Sequence, residues 1–235
     1  MTLDDVIKTT KASFQDSIYF SNAELPPDFI IPNEWKNFGV DSEGTRKFPA
    51  TWHGFENDLP RIFSLLNLGL IGTAVLDGNS IQLIYIFHGD QGLYYYTGGL
   101  PLDACPLKVG SYFPFQGKIS EFYHYVHNGF TFFPAQSMGP QKVEHFTCVA
   151  DLIDEESTDF ASEWITLLSN GAGDYLAVDL ASLENNSGVI WWHEQPLEPE
   201  VGVGVFEVMD TWMSIFLEDT QPRDIAISHE SSFSA

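Results

Sequence analysis

Acidic side chains dominate the residues that could do chemistry. No Lys or Arg occurs between Lys142 and Arg223, and 19 of the 33 Asp and Glu residues follow Lys142. The densest run is Asp151, Asp154, Glu155, Glu156 and Asp159. A calcium loop needs acids at alternate positions, Gly at the sixth and Glu at the twelfth, and this run lacks that order. Two readings remain for it, a solvated loop or a contact surface for a basic partner. General acid–base catalysis needs a pair of carboxyls set apart by their surroundings. Among so many acids no pair stands out.

Other chemistries fit less well. Gly171-Ala172-Gly173 has the start of a dinucleotide fingerprint, but Leu176 takes the third glycine's place and a strand follows. A pyrophosphate site needs a helix N-terminus there, so a hairpin turn is the better reading. Gly202-Val203-Gly204 fails in the same way at Glu207. His124 and His127 stand three apart on a proposed helix, with His145 further on. Zinc needs four ligands in tight geometry, and no C-x-x-C accompanies them. Both histidines are therefore placed at the margin of the core, or else His127-Asn128-Gly129 serves the helix end, with His127 near its negative end. Cys105 and Cys148 lack basic neighbours that would activate a thiolate, and no G-x-S-x-G elbow occurs. The sequence thus offers no catalytic residue, metal ligand or cofactor.

Trp191-Trp192-His193-Glu194 is different. Successive residues of a strand point to opposite faces. One indole can join the core, while the other is either covered by a helix or forms an interface anchor.

These residues need elements to hold them. The chain has 235 residues, 44 % of them apolar, with 19 Phe, 9 Tyr and 6 Trp. Such a composition argues for a packed core and against disorder. The formal net charge of −23 disfavours nucleic acid and anionic membranes as partners, and favours basic proteins. Two lone cysteines fit a reducing compartment. The N-terminus lacks a signal-peptide pattern. The apolar stretch Leu65–Leu76 is interrupted by Asn67 and Gly69 and falls short of the roughly 20 residues of a membrane span. A soluble, cytoplasmic protein is expected. The sequence leaves the oligomeric state open.

Residues 3–20 have helical spacing, with Asp4 and Asp5 in the first turn. Residues 21–57 read as an irregular covering segment, and Pro60 opens a short helix. Ile71–Leu76, Ile81–Phe87 and Leu93–Tyr96 read as an antiparallel meander joined by Gly- and Asn-rich turns. Ile84, Tyr85 and Ile86 do not alternate, so that strand should be covered on both faces. Lys118–Val126 reads as a helix stopped by Asn128-Gly129. Strands follow at Phe130–Phe133, Trp164–Leu168, Tyr175–Leu180 and Val189–His193, then a helix at Val205–Leu217. Without βαβ alternation this predicts an α+β fold, one domain over residues 1–235 with a largely antiparallel sheet flanked by helices.

The ordered set Trp164–Leu168, Asn170–Leu180 with its Gly-Asp turn, Val189–Glu194 and the closing helix resembles the SUKH superfamily (the Smi/Knr-type domain). Phe122–Phe130, with His127-Asn128-Gly129, is similar to the helix-to-Asn-Gly segment of that family. The resemblance covers roughly residues 118–220. It implies an α+β fold without a shared catalytic residue or cofactor. It also implies an immunity protein that binds and neutralises a cognate protein toxin in competition between bacterial cells. A regulatory module for cell-wall or signalling partners is the alternative, and an unrecognised hydrolase is a third. Many such toxins are nucleases with positive grooves, which an acidic protein would reach quickly. The expected contact residues are Asp151, Asp154, Glu155, Glu156, Asp159, Asp174, Trp192 and Glu194. Asp174 and Asp179 match the family pattern and also have structural readings, as turn and connection caps.

Overall fold

The computed structural model describes residues 1–41, 48–105, 113–153, 159–182 and 187–227. The chain opens with α1 (Leu3–Ser13). The Thr2 hydroxyl accepts from the Asp5 amide at 3.2 Å, while the Asp5 carboxylate accepts from the Thr2 amide at 3.0 Å. This reciprocal cap satisfies two donors and puts acid at the positive end of the helix. The helix ends earlier than its spacing suggests. Phe14 turns extended and lays its ring on Phe133 and Tyr95, 4.2 and 5.2 Å away. The chain then forms β1 (Ser17–Tyr19).

Residues 21–57 supply more than a cover. Their short helical turns bury Trp35, Trp52 and Phe55 in the main core. Next come α2 (Pro60–Leu68), β2 (Gly72–Asp77), β3 (Ile81–Gly89) and β4 (Gly92–Gly99). Then α3 (Gly117–Glu121) runs directly into a π-helical turn, Phe122–Val126, followed by β5 (Phe130–Phe133). Strands β1 to β5 form one antiparallel sheet in sequential order.

The second half repeats this plan with β6 (Gly139–Pro140), β7 (Trp164–Ser169), β8 (Tyr175–Asp179), β9 (Ser187–Trp191) and β10 (Glu200–Gly204). These strands also pair antiparallel in sequential order. The helices α4 (Val205–Ile215) and α5 (Arg223–Ala226) follow. The fold is α+β, with the strands divided between two five-stranded sheets. The sheets meet where the chain turns from β5 to β6, and the Phe132 amide donates to Ser137 O at 2.9 Å. A Cβ at Gly139 would lie 1.9 Å from Phe130 O, so only glycine admits this backbone approach.

Period-2 alternation sorts the side chains into layers. Leu83, Tyr85 and Phe87 of β3 face a core shared with Leu176, Val178 and Ile190 of the second sheet and with α2 and α4. Ile84 and Ile86 face outward beneath Val6 of α1 and Ala226 of α5. On the second sheet, Ala177, Val189 and Trp191 face outward beneath Val149 and Ile153. The expected double covering of β3 is present.

The N-terminus of α2 is held from a distance. Leu59 precedes Pro60 and offers no side-chain oxygen. Asp210, buried on α4, accepts from the amides of Arg61 and Ile62, each at 3.0 Å. Orphan donors that a local cap would satisfy are thus met by a carboxylate, whose charge also suits the helix dipole.

Candidate functional site

The Asp174 carboxylate is committed to the fold. At the β7–β8 turn, Asn170 Nδ2 donates to Asp174 Oδ2 at 2.7 Å, and Asn170 Oδ1 accepts from the Ala172 and Asp174 amides. Asp174 Oδ1 accepts from the His193 amide at 3.0 Å and from His193 Nδ1 at 2.8 Å. The carboxylate thereby latches the turn to the end of β9, and its side chain is 13 % exposed. Burial pushes the carboxyl pKa up, but the donors on His193 and Asn170 outweigh this and hold it below the ordinary value of 3.8. Its contribution to stability is present above pH 3.8 and is lost as the pH falls further, through the depressed folded value. Asp174→Ala should cost about 1–2 kcal/mol in chemical denaturation at neutral pH. An unchanged midpoint would remove the latch role.

Trp191 and Trp192 part as alternation requires. Trp191 is buried with Val189 and Ala177, and its indole donates to Pro196 O at 3.2 Å. Trp192 is partly buried 6.5 Å from Trp212, with its indole donating to Glu200 Oε1 at 3.2 Å. Glu194 beside it has 86 % of its side chain exposed. Asp174, Trp192 and Glu194 therefore share one end of the second sheet. Asp159 is exposed in the turn Asp159–Ala161, which leads into Trp164 at the other end of β7. Trp164 and Ser169 are separated by about 17 Å of strand. Asp151 is exposed on the short helical turn Val149–Leu152, over the outer face. Asp154, Glu155 and Glu156 lie outside the described residues. The described carboxylates in this set do not converge on one point. Asp179 does cap its connection, accepting from the Ala181 amide at 3.0 Å.

His127 is not at the core margin; it is fully buried. The helix carrying it widens into a π turn, and the His127 amide donates to Phe122 O, five residues back, at 3.0 Å. This swings the ring inward, between Trp35 and Phe130. Its bonds have forced directions. Gly99 O can only accept, so His127 Nδ1 donates to it at 3.0 Å. The neutral ring then accepts at Nε2 from the Tyr85 hydroxyl at 2.7 Å. Tyr85 in turn accepts from Trp52 Nε1 at 2.8 Å. Burial lowers the His127 pKa to about 4, against the smaller upward pull of the Gly99 carbonyl. A Cβ at Gly98 would lie 2.4 Å from His127 Nδ1, so the strand needs glycine there. This chain of donors is sealed within the core.

The same π turn points His124 and Tyr125 outward, into a groove of about 810 Å3. Its other walls are residues 28–34, Thr51, Ile81, Leu100, Pro101, Asp103 and Ala104. Ile30 is 83 % exposed and Tyr125 54 % exposed. Asp28, Glu34 and Asp103 are the charged residues among the described lining, which has no Lys or Arg. His124 Nδ1 lies 2.7 Å from Asp103 Oδ1. Single large apolar side chains at a surface are ordinary. Two of them lining one acidic concavity, beside a π turn of the kind frequent at functional sites, form a distinct site. Sequence reasoning missed it because its walls come from separated segments. The signal available was Leu25-Pro26-Pro27-Asp28-Phe29-Ile30-Ile31-Pro32, apolar residues held in a proline-rich loop.

Cys105 and Cys148 are free thiols. Among the described residues, no group of three His, Cys, Asp or Glu side chains is arranged to hold a metal ion, and no helix is long and apolar enough to cross a membrane. No protein-family model, curated protein or solved structure gives a significant match to the chain.

Proposed function

We propose that the protein is a non-enzymatic immunity protein that binds and neutralises a basic protein toxin, with the Ile30–Tyr125 groove as its docking site. The observation that carries this reading is the groove itself, where exposed apolar anchors lie among Asp28, Glu34 and Asp103. The matching occupant is a polypeptide segment with a bulky apolar side chain flanked by Lys or Arg. The apolar contact supplies affinity, since burying an isoleucine side chain is worth about 1.5–3 kcal/mol. The carboxylates and the net charge of −23 supply rapid encounter and selectivity for basic partners. The groups most displaced in pKa also suit a binder. Tyr85, Tyr96, Tyr123 and His127 are buried and bonded within the core, and none lines the groove. The ordered SUKH-like motifs favour the same class.

Co-expression with the products of the neighbouring genes, each assayed for toxicity, tests the proposal. Wild-type protein should restore growth. The double variant Ile30→Asp, Tyr125→Ala should weaken binding by about a hundredfold and lose rescue. Because both residues are exposed, its stability should stay within about 0.5 kcal/mol of wild type. Raising the salt concentration should slow association more than it speeds dissociation. Failure of the wild type to rescue, or full rescue by the stable double variant, would overturn the assignment.

A further inference from the structure

A second concavity lies on the outer face of the first sheet and has different chemistry. Ile86, Tyr95 and Phe133 stand in register across β3, β4 and β5, and Phe14 packs on the two aromatic rings. The next row on that face is Ile84, Thr97 and Thr131, with Gln82 beyond it on β3. Beyond the end of α1 at Ser13, the sheet face thus changes from apolar to polar. The resulting cleft has a volume of about 380 Å3, within the roughly 300–1,000 Å3 range of small-ligand pockets.

The polar groups there are uncommitted. Asp16, Asn79, Gln82, Thr97, Thr131 and Gln136 line the cleft, and their side chains make no hydrogen bond or ion pair with a described residue. Thr97 nevertheless is only 8 % exposed. Its hydroxyl has no partner among the described residues and opens onto the cleft, where water or a ligand group can reach it. Gln136 adds an independent observation. Its φ is +52°, a left-handed conformation uncommon for a residue with a Cβ. Such strain clusters at ligand clamps, and this one sits at the cleft wall.

The charges in the lining narrow the ligand class. Asp16 and Lys142 oppose one another in sign, and the Lys142 ammonium also reaches Ser80 Oγ at 3.2 Å. Against a molecule of net charge −23, one lysine is a weak anion trap. Apart from the imidazole of His145, the remaining polar groups are amides and hydroxyls, which donate and accept side by side. A sugar hydroxyl also does both, and a carboxylate such as Asp16 can accept from two adjacent hydroxyls. We propose that this cleft binds a neutral polyhydroxylated ligand the size of one pyranose ring.

The test is nuclear magnetic resonance of the 15N-labelled full chain. It is titrated separately with glucose, galactose, N-acetylglucosamine and inorganic phosphate into the tens of millimolar. Saturable shifts at the Gln82, Thr97 and Thr131 amides with at least one sugar are expected. Thr97→Val keeps the shape and removes the hydroxyl, and should weaken that binding by about fivefold. Gln82→Leu should act in the same direction, with the rest of each spectrum unchanged. The absence of a saturable shift with all three sugars would overturn the proposal. So would saturation by phosphate alone, or binding unchanged in both variants. The outcome is separate from toxin binding, because Ile30 and Tyr125 do not line this cleft.

Discussion

Replacing His127 with alanine should lower the free energy of unfolding by about 4 kcal/mol, among the larger effects of a single substitution. The cost has two sources. A ring is removed from a close-packed site between Trp35 and Phe130. The Tyr85 hydroxyl also loses its acceptor and Gly99 O its donor, both inside the core. The wild type carries a pH signature of the same group. Above pH 6.5 His127 is neutral in both the folded and the unfolded chain. As the pH falls from 6.5 toward about 4, the unfolded chain takes a proton that the folded chain refuses. Folding should therefore lose about 3 kcal/mol across that window. Denaturant titrations from pH 7 to pH 4 on wild type and His127→Gln would show the difference. The same loss in both proteins would mean that the residue is not held neutral in the core.

Asp210→Ala should cost about 3 kcal/mol. It strands the amides of Arg61 and Ile62 at the start of α2 and uncouples that helix from α4. Asp210→Asn keeps one side-chain carbonyl as acceptor and gives up the charge, so about half of the stability should return. Urea denaturation of both variants measures this. Equal midpoints for wild type and Asp210→Ala would show that the long-range cap contributes nothing.

The strands with clear local patterns were legible. Ile84 to Phe87 are apolar without interruption, as a doubly covered strand must be, and Asn170 to Asp174 have turn chemistry. The Trp191 and Trp192 split follows from strand period alone. Elements defined by distant partners were not legible. Beta strand β1 pairs with β2 across some sixty residues of chain, and Glu200 to Gly204 join a sheet only because β9 lies beside them. His127 was misplaced because α-helical spacing does not hold through a π turn, whose i→i+5 bond changes the direction of every later side chain. The groove joins residues 28–34, 100–101, 103–104 and 124–125, a combination that no local pattern encodes. Acidity was legible as a total, but the carboxylates of the second sheet are spread over both of its ends and its outer face.

Hydrogen exchange of the full chain, alone and with a basic protein toxin that it neutralises in co-expression, tests the proposed docking site. Slowed exchange is expected in residues 28–34, 100–104 and 122–126 on adding the toxin, with little change at 192–201. Protection confined to 192–201, or none in any segment, would contradict it.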